Sequence, residues 1–250
     1  MGSFSTNLHV RGVAPGGLAS ALSALEAAPA YVTAVASHGW TSAYPSNVDQ
    51  DEHGLHKLGA RLSHDLGAPV LTFMLHDSDV FSYELFERGH LVDSYRSNPG
   101  YFEGRNDPPT LHHPEVLLPF GVEGTSLDGL LRLLRQVGAD GEPLSEGDVA
   151  IEQLRSNYPH MAAGNPQLPP LAELIDRVRQ TQGDKAQARS RFASEMSAGP
   201  ESEEQHVSAV AVMGALALWL GLTADRAETS YRYIAQGETH AGEMLLVEAN

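Results

Sequence analysis

The chain has 250 residues, with 16 Lys or Arg against 32 Asp or Glu, giving a formal net charge of −16. An acidic surface repels phosphate, so nucleic acid and anionic membrane are not expected partners, whereas a basic protein is. The chain has no cysteine, which excludes disulfides, thiol nucleophiles and cysteine-ligated zinc.

The opening "MGSFSTNLHVRG" has no basic run followed by an apolar stretch and does not read as a signal peptide. Its match to the myristoylation pattern reads as chance, because abundant Ala and Gly with lysine only at Lys57 and Lys185 indicates a GC-rich bacterial origin. The longest apolar run, Val207 to Leu222, contains Ser208 and Gly214 and is shorter than a membrane span. A cytoplasmic location is expected.

"STNLHVRG" reads as a first strand and "PGGLASALSALEAA" as a helix with Leu18, Leu22 and Leu25 on one face. "YVTAVAS" follows as a second strand, and a polar loop then carries Trp40, Tyr44 and Pro45. "DEHGLHKLGARLSHDLG" is amphipathic through Leu55, Leu58, Leu62 and Leu66, with Gly67 placed to cap it. "PVLTFML" reads as a strand buried on both faces, and "VFSYELF" and "HLVDSY" as a hairpin turning at Arg88-Gly89. The expected class is α+β, a ferredoxin-like mixed or antiparallel sheet with two packed helices over residues 1–104.

An irregular, proline-rich connection is expected over 105–125, and a mainly helical region over 126–250, packed with the first part or apart from it. Helix starts are marked by Ser126, by Ser145 with Asp148, by Pro169-Pro170 and by Ser202 with Gln205. The helix after Ser202 is apolar almost all round and is expected to be a buried spine. "TADRAETSYRYIAQG" reads as a last helix and "EMLLVE" as a closing strand.

Several clusters invite a chemical reading. "HDSD", His76 to Asp79, sits between two strands, where Asp and Ser favour turns; successive strand side chains alternate faces, so its three ligand-type groups do not converge unaided. A metal site built from it would take His76, Asp77 and Asp79 with His112 and His113 from the loop, the set a metal-dependent hydrolase would use. The turn is the preferred reading, so no metal or other cofactor is expected. His53 and His56 are three apart with Glu52 before both, unlike the His-Glu-x-x-His metalloprotease pattern, and read as an exposed helix start. "VAPGGLAS" lacks the lysine and glycine spacing of the nucleotide loops. Arg177, Arg179, Lys185, Arg189 and Arg191 read as a solvated helix face.

At "HDSDVFSYELFERGHLVDSYRSNPGYFEG" and "LGLTADRAETSYRYIAQGE" the chain resembles uncharacterised bacterial proteins of similar layout. The resemblance implies a hairpin with a "Ser-x-Pro-x-Tyr-Phe" exit and a helical tail, and it carries over no catalytic residues. The function expected from these features is non-catalytic binding of a macromolecule, as in an immunity or adaptor protein that engages a basic protein. The contacting aromatics are expected to be Trp40, Tyr44, Tyr95, Tyr101 and Phe102, because aromatic side chains anchor interfaces.

Overall fold

The computed structural model describes residues 3–137, 144, 148–149, 151, 169–177, 179–180, 208–237 and 243–248. Strand β1 (Ser5–Arg11) lies inside the sheet and sets its chemistry. Alternation along the strand sends Leu8 and Val10 to one face and Asn7 and His9 to the other, and all four are fully buried. Both faces of the sheet must therefore be covered, one by apolar groups and the other by groups that include hydrogen-bond partners.

Strands β3 (Trp40–Pro45) and β4 (Val70–His76) flank β1, both antiparallel, so that Leu8 faces Ala43 on one side and Thr72 on the other. Strand β2 (Ala30–Thr33) pairs with β3. Beyond β4 the sheet continues through β5 (Val80–Glu87), β6 (His90–Arg96) and the short β7 (Thr110–Leu111). Strand β8 (Met244–Val247) adds to the outer edge of β2. The whole is an eight-stranded antiparallel sheet of order β7-β6-β5-β4-β1-β3-β2-β8 in an α+β protein.

Helices α1 (Pro15–Ala24) and α2 (Glu52–Leu66) cover the apolar face of β1. Helix α2 starts where Asp51 accepts from the Gly54 amide at 3.0 Å and ends at Gly67, whose φ of 60° suits a residue without Cβ. Its buried leucines, Leu55, Leu58 and Leu62, pack with Leu8, Val10, Val70 and Phe86, whereas Leu71, Phe73 and Leu75 of β4 point to the opposite face. That opposite face is covered by a 3-10 segment at Pro114–Phe120, by α3 (Leu127–Arg135) and by α4 (Ala209–Trp219). The core there joins Phe73, Phe81 and Tyr83 of the sheet to Leu130, Val212 and Leu216 of the helices, so α3 and α4 pack directly on the sheet.

Several elements differ from the sequence reading. The stretch of Trp40, Tyr44 and Pro45 is strand β3 and not a polar loop. Its Thr41 hydroxyl donates to Val13 O at 2.6 Å and its Ser42 hydroxyl meets His9 Nδ1 at 2.8 Å, so polar residues that look loop-like have partners inside the sheet. The last helix is two, α5 (Ala224–Glu228) and α6 (Tyr231–Ala235), separated by extended Thr229 and Ser230. The Pro-rich connection contains β7 and a 3-10 segment at Pro114–Phe120, and a 3-10 turn at Tyr101–Glu103 precedes it. The described part of the apolar helix begins at Ala209, capped by Ser208 accepting from the Ala211 amide at 3.3 Å; the cap expected at Ser202 and Gln205 lies outside the described residues, as do Ser145, Lys185, Arg189 and Arg191. Among the described residues, no helix is long and apolar enough to cross a membrane.

Helix α2 approaches the sheet closely at Gly59, where an added Cβ would stand 2.7 Å from Phe86 Cε2 and 3.0 Å from Thr72 Cγ2. Alanine there gains up to about 1 kcal/mol of helix propensity, but overpacking against a fully buried ring costs about 1–3 kcal/mol. Gly59→Ala is therefore expected to lower the chemical-denaturation midpoint. An unchanged or raised midpoint would show that α2 does not sit this close to Phe86.

Candidate functional site

The His76–Asp79 stretch is a tight turn between β4 and β5: Asp77 and Ser78 have φ of 50° and 64°, and the Asp79 amide donates to His76 O at 3.0 Å. Asp tolerates this left-handed conformation and Ser bonds locally, which accounts for both residue types. Ser78 also binds the chain entrance, its hydroxyl accepting from the Ser3 amide at 2.7 Å.

Alternation in β4 turns His76 away from the phenylalanine-lined face, and its ring becomes the hub of an aromatic group. Phe4 and Phe102 meet it edge-on with centroids at 5.0 Å, and Tyr101 at 6.4 Å. His76 Nδ1 lies 3.2 Å from Gln50 Oε1. The Tyr101 hydroxyl donates to Asp79 at 2.8 Å, a bond that holds the phenol above its ordinary pKa. Arg232 lies over the rings of Phe4 and Tyr233 at 5.9 and 5.4 Å, and the Tyr233 hydroxyl accepts from the Phe4 amide at 3.3 Å. Phe102 is 61% exposed although its ring meets His76 and Tyr101. Glu103 and Asp79, both exposed, make its surroundings acidic.

Of the five aromatics read as a contact surface, Tyr101 and Phe102 occupy this patch. Trp40 and Tyr44 are fully buried and Tyr95 is 2% exposed, so none of the three is available to a partner. The Trp40 indole donates to Leu220 O at 3.1 Å, the Tyr44 hydroxyl donates to Arg226 O at 3.2 Å, and Tyr95 stacks on Tyr83 at 5.5 Å. They are half-polar rings that tie the sheet to the layer above it.

His112 and His113 do not reach the turn. The His112 amide donates to Ser94 O, and the His113 amide to Asp93 Oδ1 at 2.8 Å. Asp93 faces Leu85, five residues along β5 from Val80, which at 3.4 Å per residue is about 17 Å from the turn. Asp93 also accepts from the Tyr83 hydroxyl at 2.7 Å; burial raises both the carboxyl and the phenol above their ordinary pKa. Among the described residues, no three His, Asp or Glu side chains gather as metal ligands. His53 is exposed at the helix start, and His56 Nδ1 lies 3.0 Å from Glu84.

A second polar group, invisible in the sequence, lies on the other face of β1. His9 Nδ1 contacts Ser42 Oγ, and the Asn7 amide donates to Ala227 O and Thr229 O at 2.6 and 2.9 Å. His9, Ser42, Tyr44 and Arg226 resemble a proton-transfer set, yet His9, Ser42 and Tyr44 are fully buried, so no substrate reaches them. Burial, assisted by the Arg226 charge, lowers His9 from its ordinary 6.5 to about 3. At neutral pH it is a fixed neutral ring, too weak a base for general-base work. Arg226 donates to Val35 O at 2.8 Å and is itself pushed down by burial.

Comparison with protein-family models, with curated proteins and with solved structures gives no match.

The buried imidazole makes stability pH-dependent with a definite sign. The unfolded chain protonates His9 below pH 6.5 and the folded chain only near pH 3. The unfolded state thus binds the extra proton, and this group removes about 1.4 kcal/mol of stability per pH unit as pH falls through that window. In urea titrations from pH 7 to 4, His9→Gln should have a shallower pH dependence by one proton. An identical slope in the variant would place the titration elsewhere.

Proposed function

We propose that the chain is a non-catalytic binding protein of the bacterial cytoplasm, immunity- or adaptor-like, that engages a basic protein through the aromatic patch around His76. The single observation that carries this reading is solvent-facing Phe102 in edge contact with His76 and Tyr101 beside the acidic Asp79 and Glu103. An exposed aromatic ring with carboxylates beside it suits an arginine, whose guanidinium stacks on rings while its N–H groups bind carboxylate oxygens. Arg232 over Phe4 and Tyr233 supplies the same chemistry within the chain. The net charge of −16 supports fast, salt-sensitive encounter with such a partner.

The same reading takes the β1–α1–β2–β3–α2–β4 unit as a ferredoxin-like scaffold, supported by the antiparallel order β4-β1-β3-β2 with both helices on one face. Tyr101 and Phe102 sit on the 3-10 turn Tyr101–Glu103, which the Tyr101–Asp79 bond and the His76 ring contacts tie to the sheet-anchored β4–β5 turn, so the aromatics need little ordering on binding. The later helices serve as the second layer of this scaffold.

The test uses a labelled peptide of about ten residues alternating Arg and Gly, followed by anisotropy. Phe102→Ser leaves every charge in place, so it isolates the aromatic contribution. Wild type is expected to bind at low salt, and Phe102→Ser to bind about tenfold or more weakly, a hot-spot-sized loss. Equal binding by both proteins, or none by either, would overturn the proposal.

A further inference from the structure

The helix-covered face carries a feature that the aromatic patch does not use. An open groove of about 860 Å³ runs over α2 from the end of α1 to the β5–β6 turn. Its described lining includes Lys57, Arg61 and Arg88 with His56, His64 and His90, and Asp51 is the one carboxylate. That composition runs against a chain in which acids outnumber bases 32 to 16.

The fate of each charge sharpens the contrast. Asp51 is committed to capping α2 through the Gly54 amide, so the helix start is already neutralised by the chain's own carboxylate. Of the acids next to lining residues, Asp65 lies 3.5 Å from Arg61 and 2.8 Å from His64, Glu84 pairs with His56, and exposed Glu26 stands between Leu25 and Ala27 at the α1 end. Lys57 and Arg88 have no ion-pair partner among the described residues. Lys57 and Arg61 are one turn apart on the helix, about 6 Å along its axis. A compact phosphate would need donors converging on one point, whereas these cations are spread along the groove. The Lys57–Arg61 spacing matches carboxylates on alternate residues of an extended chain, which stand about 6.8 Å apart on one side. Leu25, Ala27 and Leu58 give the groove apolar ground between the charges.

We infer that the α2 groove binds an acidic peptide segment of a partner protein, with alternate carboxylates received by Lys57, Arg61 and Arg88. This site is separate from the aromatic patch and takes a ligand of opposite charge, so it stands or falls independently of that reading.

The experiment is anisotropy titration of the full chain with a fluorescein-labelled (Glu-Ala)5 peptide at low salt, with (Lys-Ala)5 as the opposite-charge probe. Wild type is expected to bind the acidic peptide saturably and to lose affinity as salt is raised. Lys57→Glu with Arg61→Glu should weaken binding about tenfold or more, and so should Arg88→Glu, whereas Arg132→Glu on α3 should change it less than about twofold. No saturable binding would overturn the inference. So would equal losses in the Arg132→Glu control, or complete competition by millimolar inorganic phosphate, which would mark a small-anion site instead. Circular dichroism of each variant separates loss of the site from loss of the fold, and a groove variant that remains folded and binds like wild type counts against the inference.

Discussion

The side-chain amide of Asn7 fixes where the segment after α4 docks on the sheet. From the interior strand β1 it donates to Ala227 O and Thr229 O, carbonyls that α5 would otherwise pass to its own next turn. The chain breaks there into extended Thr229 and Ser230 before α6 begins. Because α6 carries Arg232 and Tyr233 against Phe4, the bond in the sheet centre also positions the outer side of the aromatic group. A buried amide that lost these acceptors would be left unpaired at a cost of about 1–3 kcal/mol, so the polar face of β1 specifies where the C-terminal segment docks.

The apolar side of the fold was legible because it follows local rules. Leucines at helical spacing, Asp51 before α2 and Gly67 after it gave that helix, and Arg88-Gly89 gave its hairpin, with both residues at positive φ. The polar side was not, because its logic is long-range. Thr41 and Ser42 suit a strand only through Val13 and His9, partners that a window around residue 40 does not contain. The aromatic residues divide for the same reason. Tyr101 and Phe102 stay near the surface beside the turn, while Trp40, Tyr44 and Tyr95 find acceptors or stacking partners from distant segments. The clustering of Phe4 with His76 and Arg232 had no sequence signal, since it joins both ends of the chain to the β4–β5 turn.

Histidine illustrates how one residue type takes opposite roles in one sheet. His9 is sealed in the interior and held neutral, a permanent hydrogen-bonding group. His76, at the end of the neighbouring strand, is half-buried and serves as an aromatic platform. The cluster of His76 with His112 and His113 invited a metal reading, yet His76 serves packing and His9 polar pairing. The proposed binding surfaces extend the same division to the outside, with a carboxylate-edged aromatic patch at one strand turn and a cation-lined groove along α2.

Hydrogen exchange in Asn7→Ala tests the central claim most directly. If Asn7 pins the C-terminal segment, its loss should raise exchange across residues 224–235 by about tenfold or more, as expected for two hydrogen bonds of about 1 kcal/mol each, while α2 over residues 52–66 keeps its protection. Unchanged exchange in 224–235 would contradict the account. A uniform rise in both segments would also contradict it, because it would make Asn7 a general stability residue and not the bond that docks the C-terminal segment.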